Sequence, residues 1–466
     1  MRSTRLSWAL TCVLLAVSVA VVALAYYPGL TNPDSNQTIS QAQQHIALDW
    51  WSPFGSLALR AWNRFLGFGL DVVWITQVAI FVVGAWLLLR HVLPLAWAAA
   101  GALLVTVWPP TYNQLSELAR DPFFMAFALV ALGALGEAYR APEDHPRRRW
   151  AWLAVALIAA MLSYLSRQNG VVVVIGVVLG GLPLVARSRI AGLSRWRRVA
   201  GGIVVAGATG LLAFAFSTAM NRAFGVTTTH PERMLYVYDL ASISKLTGHD
   251  QFPPSLIAAH RPGWVTPVVD QRTIEREFNW INVISMYPND LAGTINFGDS
   301  ATAAAEARGL RGAWRRAVEN HPAQYLWTRL RLTASILGFT NHPLNAYYGL
   351  LDPTNYGRPL RFRGNLATAD DVTRVFVGPL ATIPLDVHWP YLLVSIGFTI
   401  FLWRRRPGDR PLLVAIATAQ WLNLAVDFFF APASSYSYAD LDVPLALTLA
   451  LWSAWTAFAP QQRAGG

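Results

Sequence analysis

The sequence predicts an all-α polytopic membrane protein with about ten transmembrane helices and an extracytoplasmic insertion between the seventh and the eighth. Hydrophobic residues make up 54% of its 466 residues and charged residues only 14%, which is more apolar than a soluble core of this size requires. Apolar runs of bilayer length also recur along the chain. The segments between these runs alternate between arginine-rich and arginine-poor, which is typical of a chain that crosses a membrane repeatedly.

Ten apolar runs reach or approach the roughly 17–25 residues that a transmembrane helix needs. They cover residues 8–26, 70–89, 92–108, 122–139, 151–165, 171–186, 199–218, 389–403, 412–430 and 443–458. The first run contains the only cysteine, Cys12, so the chain has no internal disulfide and no thiolate cluster for zinc or an iron–sulfur group. Any metal would have to be held by oxygen or imidazole.

Arginine distinguishes the two faces of the membrane, because cytoplasmic loops carry an excess of positive charge. The arginine clusters lie at positions 2–5, 90, 140–149, 187–198 and 404–410. The N-terminus is therefore predicted to be cytoplasmic, whereas the loop 27–69 and the turns around Glu117 and Arg167 lie outside. A signal peptide cleaved after the "ALA" at 23–25 is the alternative for the first run.

The predicted domains follow from these spans. Residues 1–218 form a transmembrane core with spans one to seven, and residues 389–466 form spans eight to ten. Between them, residues 219–388 have mixed polarity and are far longer than an ordinary connection, which predicts a folded extracytoplasmic insertion. Arginines and large apolar residues recur at helical spacing over 311–339, which predicts an interfacial helix.

The formal net charge of +11 does not indicate nucleic-acid binding, because the basic residues lie in short clusters between apolar runs. A transporter is expected to place ionisable residues near the bilayer midplane, on helices broken by glycine or proline. Here the middles of the apolar runs are almost free of charge. The polar residues that stand out border the predicted outer face, which suits chemistry on a substrate whose tail stays in lipid.

The first outer loop contains a carboxylate a few residues beyond the first apolar run. Asp34 follows Pro33, and Gln37 and Gln41 recur behind it at helical spacing. This pattern predicts a short interfacial helix with Asp34 in its first turn, where a negative charge is favoured. An ionised carboxylate there can accept a proton from a hydroxyl or hold a divalent cation. An acid that only caps the helix is the alternative.

The next two outer turns contain further charged candidates. In "NQLSELARDPFF", Glu117 and Asp121 lie four residues apart around Arg120, so on a helix both acids would share a face. The alternative is that Glu117 and Asp121 are simply two solvated acids whose mutual repulsion is reduced by Arg120. In "SRQNG", Arg167 stands between two spans on the face that usually lacks positive charge, which favours a phosphate ligand. A snorkelling arginine is the alternative.

These turns together resemble the GT-C class of polytopic bacterial glycosyltransferases, which use polyprenyl-phosphate sugars, and in particular family 39 and O-antigen glucosyltransferases. The resemblance covers about the first 245 residues and rests on "YYPGLTNPDS", "DWWSPFG", "RDPFF", "SRQNG" and "YVYDLASIS". The chain departs from it at "SSYSYADLDVPLAL", where Asp440 stands in place of a tyrosine preceded by arginine. Its insertion interrupts the helices, as in protein O-mannosyltransferases.

The resemblance implies eight site residues in three roles. The catalytic carboxylates are Asp34, Asp121 and Glu117; the donor-phosphate ligands are Arg167 and Arg120; the substrate ligands are Gln37, Asp49 and Asn169. The resemblance implies no definite cofactor; whether a divalent cation (Mg or Mn) takes part stays open, and Asp34 and Asp121 would hold it.

The implied function is transfer of a hexose from a polyprenyl-phosphate donor to a glycan, lipid or protein acceptor. Because no nucleophile for a covalent intermediate is evident, the transfer is expected to invert the anomeric centre. The site would lie on the periplasmic side of the bacterial cytoplasmic (inner) membrane. Two alternatives remain open: a lipid-linked sugar flippase or other transporter, and a non-catalytic membrane protein of envelope assembly.

Overall fold

The structure is a computed structural model that describes residues 2–31, 33–49, 52–192, 194–253, 271–278, 280, 300–340, 349–350, 387–431 and 441–458. Within these ranges the chain is helical except for loops and two short strands, β1 (Leu30–Thr31) and β2 (Gly349–Leu350), which pair antiparallel. The predicted all-α polytopic fold is confirmed.

Seventeen α-helices lie in the described ranges. In chain order they are α1 (Arg2–Tyr26), α2 (Pro33–Gln43), α3 (Phe54–Leu66), α4 (Leu70–Arg90), α5 (Leu95–Val107), α6 (Pro109–Leu115), α7 (Arg120–Arg140), α8 (Pro146–Ser166), α9 (Val171–Ala191), α10 (Arg195–Ala223), α11 (Glu232–Thr247), α12 (Gln271–Glu277), α13 (Ser300–Asn320), α14 (Pro322–Ile336), α15 (Trp389–Arg405), α16 (Arg410–Phe430) and α17 (Asp442–Phe458).

Ten of these helices coincide with the ten predicted apolar runs: α1, α4, α5, α7 to α10 and α15 to α17. Seven of the ten, α1, α4, α7 to α10 and α16, are long and apolar enough to cross a membrane. Helix α5 has 13 residues, and α15 and α17 have 17 each. A count of ten spans therefore stays a prediction.

The centre of the transmembrane core is the contact between α4 and α7. A Cβ on Gly133 would lie 2.6 Å from the Cβ of Leu87, and a Cβ on Gly84 would lie 2.8 Å from the backbone nitrogen of Val130. The two backbones thus approach more closely than any larger residue permits, which is how helices commonly pack in membranes.

The two ends of the transmembrane core carry separate charged groups. Helix α7 ends at Arg140, which contacts Glu137 at 3.0 Å, and Arg90 at the end of α4 contacts the same carboxylate at 3.2 Å. At its other end, α7 begins at Arg120, close to the end of α8 and the start of α9. The candidate site residues lie at this second end, opposite the predicted cytoplasmic cluster.

The insertion has a core of its own, formed by α11, α13 and α14. The helix predicted over 311–339 is broken, since α13 ends at Asn320 and α14 begins at Pro322, where proline cannot continue the preceding helix. Arg329 of α14 is buried, contacts Asp239 of α11 and donates to the carbonyl oxygen of Ala431 at 2.7 Å. The insertion is thereby attached to the end of α16. The domain bounds at 219 and 388 stay predictions.

Candidate active site

Asp34 lies in the first turn of α2, as predicted, and the helix begins at Pro33. The preceding strand places this helix, because the Leu30 amide donates to the Ser116 carbonyl at 2.8 Å and the Leu118 amide donates to the Leu30 carbonyl at 2.9 Å. These bonds dock the loop 27–69 on the turn that carries Glu117. They bring the Asp34 carboxylate to the start of α7.

Four charged side chains from three turns form an alternating row, which we call the charge row. Arg120 Nη2 lies 2.8 Å from Asp34 Oδ2, Arg120 Nε lies 3.7 Å from Asp121 Oδ1, and Arg167 Nη1 lies 2.7 Å from that same Asp121 oxygen. The side chains of Asp34 and Arg120 are 26% and 25% exposed, whereas those of Asp121 and Arg167 are 6% and 5% exposed. The row thus runs from a solvent-accessible pair to a buried pair.

The turn that carries Arg167 is fixed on both sides. A Cβ on Gly170 would lie 2.5 Å from the carbonyl oxygen of Ser163, so this tight turn requires glycine. Asn169 Nδ2 donates to Asp427 Oδ1 at 2.8 Å and so connects the turn to the last helical turn of α16. Asp427 also lies close enough to interact electrostatically with Arg167 and Asp121. Arg167 therefore faces the protein interior and not lipid.

The structure corrects the predicted arrangement of Glu117. The backbone of Glu117 forms a parallel β-bridge with Leu30, and its carbonyl accepts from Gln77 Nε2 at 2.7 Å. Helix α7 begins only at Arg120, so Glu117 and Asp121 do not share a helical face. The prediction was wrong because β1, which is distant in sequence, engages the backbone of Glu117. Its side chain is buried.

The two remaining substrate candidates lie in the first outer loop. Gln37 is buried on α2, one turn beyond Asp34. Asp49 Oδ1 accepts from the backbone amide of Thr229 at 2.5 Å and from its hydroxyl at 2.7 Å. This carboxylate therefore attaches the first outer loop to the segment that follows α10.

An apolar cavity of about 210 Å³ adjoins the charge row. Side chains of α2, α3, α4 and α7 line it, and among the lining residues described, Arg120 is the only charged one. Large apolar side chains such as Trp62, Phe123 and Phe127 form much of its wall. The charge row and the cavity therefore meet at Arg120.

The charge row does not fit a cation shared by Asp34 and Asp121. The guanidinium group of Arg120 contacts both carboxylates, so a metal ion between them would have to displace it. In the described part of the chain, no three acidic, histidine or cysteine side chains group closely enough to hold a metal ion.

No protein-family model and no curated protein sequence matches the chain. In structure the chain is similar to ArnT from Cupriavidus metallidurans bound to undecaprenyl phosphate, with 14% identity, a TM-score of 0.31, and coverage of 97% of this chain and 77% of that one. The apo state of that protein is similar as well, with 15% identity, a TM-score of 0.31, and coverage of 97% of this chain and 78% of that one.

The sequence interpretation gave no role to the acids of the C-terminal helices. Asp427, Asp442 and Gln420 have none of the predicted site roles. A signal was present, because Gln420, Asn423 and Asp427 recur at helical spacing in an otherwise apolar span. These three residues, with Asp442, form a second buried polar group.

Proposed function

We propose that this chain is a membrane glycosyltransferase that moves a hexose from a polyprenyl-phosphate donor to an envelope acceptor on the outer face of the bacterial cytoplasmic membrane. The observation that carries the proposal is the charge row beside the apolar cavity. Two arginines suit a phosphate that leaves as an anion, and two carboxylates suit a hydroxyl that must lose a proton. The apolar cavity suits the lipid part of the donor.

In the proposed donor complex, the first prenyl units occupy the apolar cavity and the phosphate lies at Arg120, where the cavity meets the charge row. Arg167 is one ion pair further along the row. A guanidinium group can bind phosphate through two parallel hydrogen bonds, and in a buried setting it stabilises negative charge as the phosphate leaves. Both arginines thus serve the leaving group.

Asp34 is the proposed base. In the described structure its carboxylate is paired with Arg120, and this pair is a quarter exposed. A donor phosphate would compete for Arg120 and release Asp34. The released carboxylate takes the proton of the acceptor hydroxyl, whose oxygen attacks the anomeric carbon while the bond from that carbon to the phosphate oxygen breaks. Such a single displacement inverts the anomeric centre. Asp121 stays with Arg167 and orients it.

The proposal is tested with the purified full-length protein in nanodiscs, supplied with a polyprenyl-phosphate hexose and an envelope extract as the acceptor. A glycosyltransferase releases free polyprenyl phosphate and labels the acceptor. A flippase moves the intact donor across a vesicle membrane and releases no polyprenyl phosphate. An assembly protein does neither. Absence of polyprenyl-phosphate release with every hexose donor tried would refute the proposal.

A further inference from the structure

A second, smaller cavity of about 50 Å³ lies beside the turn that carries Arg167. It is lined by part of the loop 27–69, by the end of α8, by the residue after Arg167 and by the last turns of α10. A carboxylate and two amides contribute to its wall, from Asp49, Gln168 and Asn221. We call it the polar cavity.

These three side chains have hydrogen-bonding capacity that the described residues do not use. Asp49 accepts from Thr229 through Oδ1 alone, and its second carboxylate oxygen accepts no hydrogen bond within the described part of the chain. The side-chain amides of Gln168 and Asn221 form no hydrogen bond there either. An amide both donates and accepts, and a carboxylate accepts, so the wall is suited to hydroxyl groups, which do both.

The two cavities and the charge row follow the order in which the parts of the proposed donor are bonded. Ser166 lines the apolar cavity, Gln168 lines the polar cavity, and Arg167 stands between them in the chain. Ser52 and Phe54 line both cavities, which therefore share a wall. In a polyprenyl-phosphate sugar the phosphate joins the prenyl chain to the sugar. With the prenyl units in the apolar cavity and the phosphate at the charge row, the sugar lies at the polar cavity.

The volume of the polar cavity limits how much of a sugar can enter. One buried water needs about 10–15 Å³ of such volume, so this cavity admits roughly three to five atoms of that size. That is one edge of a hexose, such as its hydroxymethyl group and a neighbouring hydroxyl, and not the whole ring. The opposite side of the ring stays accessible to the acceptor.

We propose that the polar cavity binds one edge of the donor hexose, with Asn221, Gln168 and the second carboxylate oxygen of Asp49 as ligands of its hydroxyl groups. The inference rests on the proposed function, and it gives the end of α10 a part in selecting the sugar. Phe54 and Phe224 supply apolar wall beside these polar groups, which is the usual composition of a small-molecule site.

The inference is tested by calorimetry on the full-length protein in nanodiscs, without acceptor. The ligands are short-chain prenyl-phosphate glucose, mannose and galactose, and the same prenyl phosphate without a sugar. At least one hexose ligand should bind more tightly than the prenyl phosphate. Asn221→Leu keeps the size of the side chain and removes its hydrogen bonds. It should raise the Kd of that hexose ligand about 2- to 13-fold for each hydrogen bond lost, and leave the Kd of the prenyl phosphate unchanged.

Asn320→Leu is the matched control, because Asn320 also lies at the end of a helix but lines neither cavity. It should change neither Kd. Should Asn221→Leu fail to fold, Ser217→Leu, which fills the polar cavity with a larger side chain, gives the same comparison.

The inference and the proposed function fail in different ways. If the native protein binds the prenyl phosphate and all three hexose ligands equally well, the polar cavity holds no sugar, although the donor-phosphate site stands. An Asn221→Leu variant that binds the hexose ligand as the native protein does, or that loses both ligands alike, would also overturn the inference. A native protein that binds none of the ligands would contradict the proposed function itself.

Discussion

Asp34→Asn should abolish transfer and leave the protein folded. The amide keeps the shape of the side chain but cannot accept the proton of the acceptor hydroxyl, and loss of a general base typically lowers the rate about 10²- to 10⁴-fold. The structural cost is small. Asp34 and Arg120 form a partly exposed pair, and such pairs contribute roughly 0.2–1 kcal/mol to the free energy of unfolding. The change at the start of α2 adds about 0.3–1 kcal/mol through the helix dipole.

Two measurements on the same nanodisc sample separate catalysis from stability. The initial rate of polyprenyl-phosphate release, at saturating donor, should fall by two or more orders of magnitude. The midpoint of thermal unfolding should change by only a few degrees, because the summed cost is about 0.5–2 kcal/mol. Binding of the donor should be retained, since both arginines remain.

Glu232→Gln is the matched control. Glu232 is also an acid in the first turn of an outer helix, and it pairs with His230 at 2.9 Å, but it belongs to α11 in the insertion. This variant should keep the native rate. A rate for Asp34→Asn within a few-fold of the native rate would refute the assignment of the base and return Asp34 to a helix-capping role.

The outer turns and the topology give three further predictions. Arg167→Ala should raise the donor Kd about 10- to 150-fold, since a charged phosphate contact is worth roughly 1.5–3 kcal/mol. Because this change also removes the ion-pair partner of the buried Asp121 carboxylate, the control combines it with Asp121→Asn. Recovery of donor binding in that double variant would contradict a phosphate role. Gly170→Ala should lower the free energy of unfolding by about 1–3 kcal/mol, because the added Cβ forces the turn to move, and an unchanged unfolding midpoint would refute this. Reporter fusions at His145 and Glu319 should report cytoplasm and exterior respectively, and the same side for both would contradict the predicted topology.

The helices were predictable from the sequence because a bilayer-length apolar segment must satisfy its own backbone hydrogen bonds, whatever its neighbours are. The position of Asp34 in the first turn of α2 was predictable from similarly local signals. The ion-pair partner of each charged residue was not predictable from the sequence. Asp121 pairs with Arg167, 46 residues further along the chain, and this depends on how α7 and α8 pack.

Glu117 illustrates the limit of local patterns. Its spacing from Asp121 predicts a shared helical face only if the intervening residues are helical. The backbone of Glu117 forms a β-bridge with Leu30, so Glu117 is not part of a helix. No pattern within the turn indicates that bridge. Asp427 of α16 and Asp442 of α17, both buried, received no predicted role for another reason. Each lies at the end of an apolar helix, where a single acid is ordinary; only their assembly makes them unusual.

The exposure gradient along the charge row determines the order of events under the proposed function. A donor phosphate adds negative charge to a row that is neutral, so one arginine must exchange its carboxylate for the phosphate. Removing a partner from the buried Asp121–Arg167 pair would leave a desolvated charge uncompensated, at a cost of about 3–5 kcal/mol. Removing one from the partly exposed Asp34–Arg120 pair costs roughly 1 kcal/mol or less, because water can hydrate the released carboxylate. The phosphate should therefore displace Asp34 from Arg120, whereas Arg167 should contact the phosphate with its Asp121 pair intact. Asp34 consequently becomes free to accept a proton only after the donor has bound, which ties deprotonation of the acceptor to the presence of the sugar it will receive.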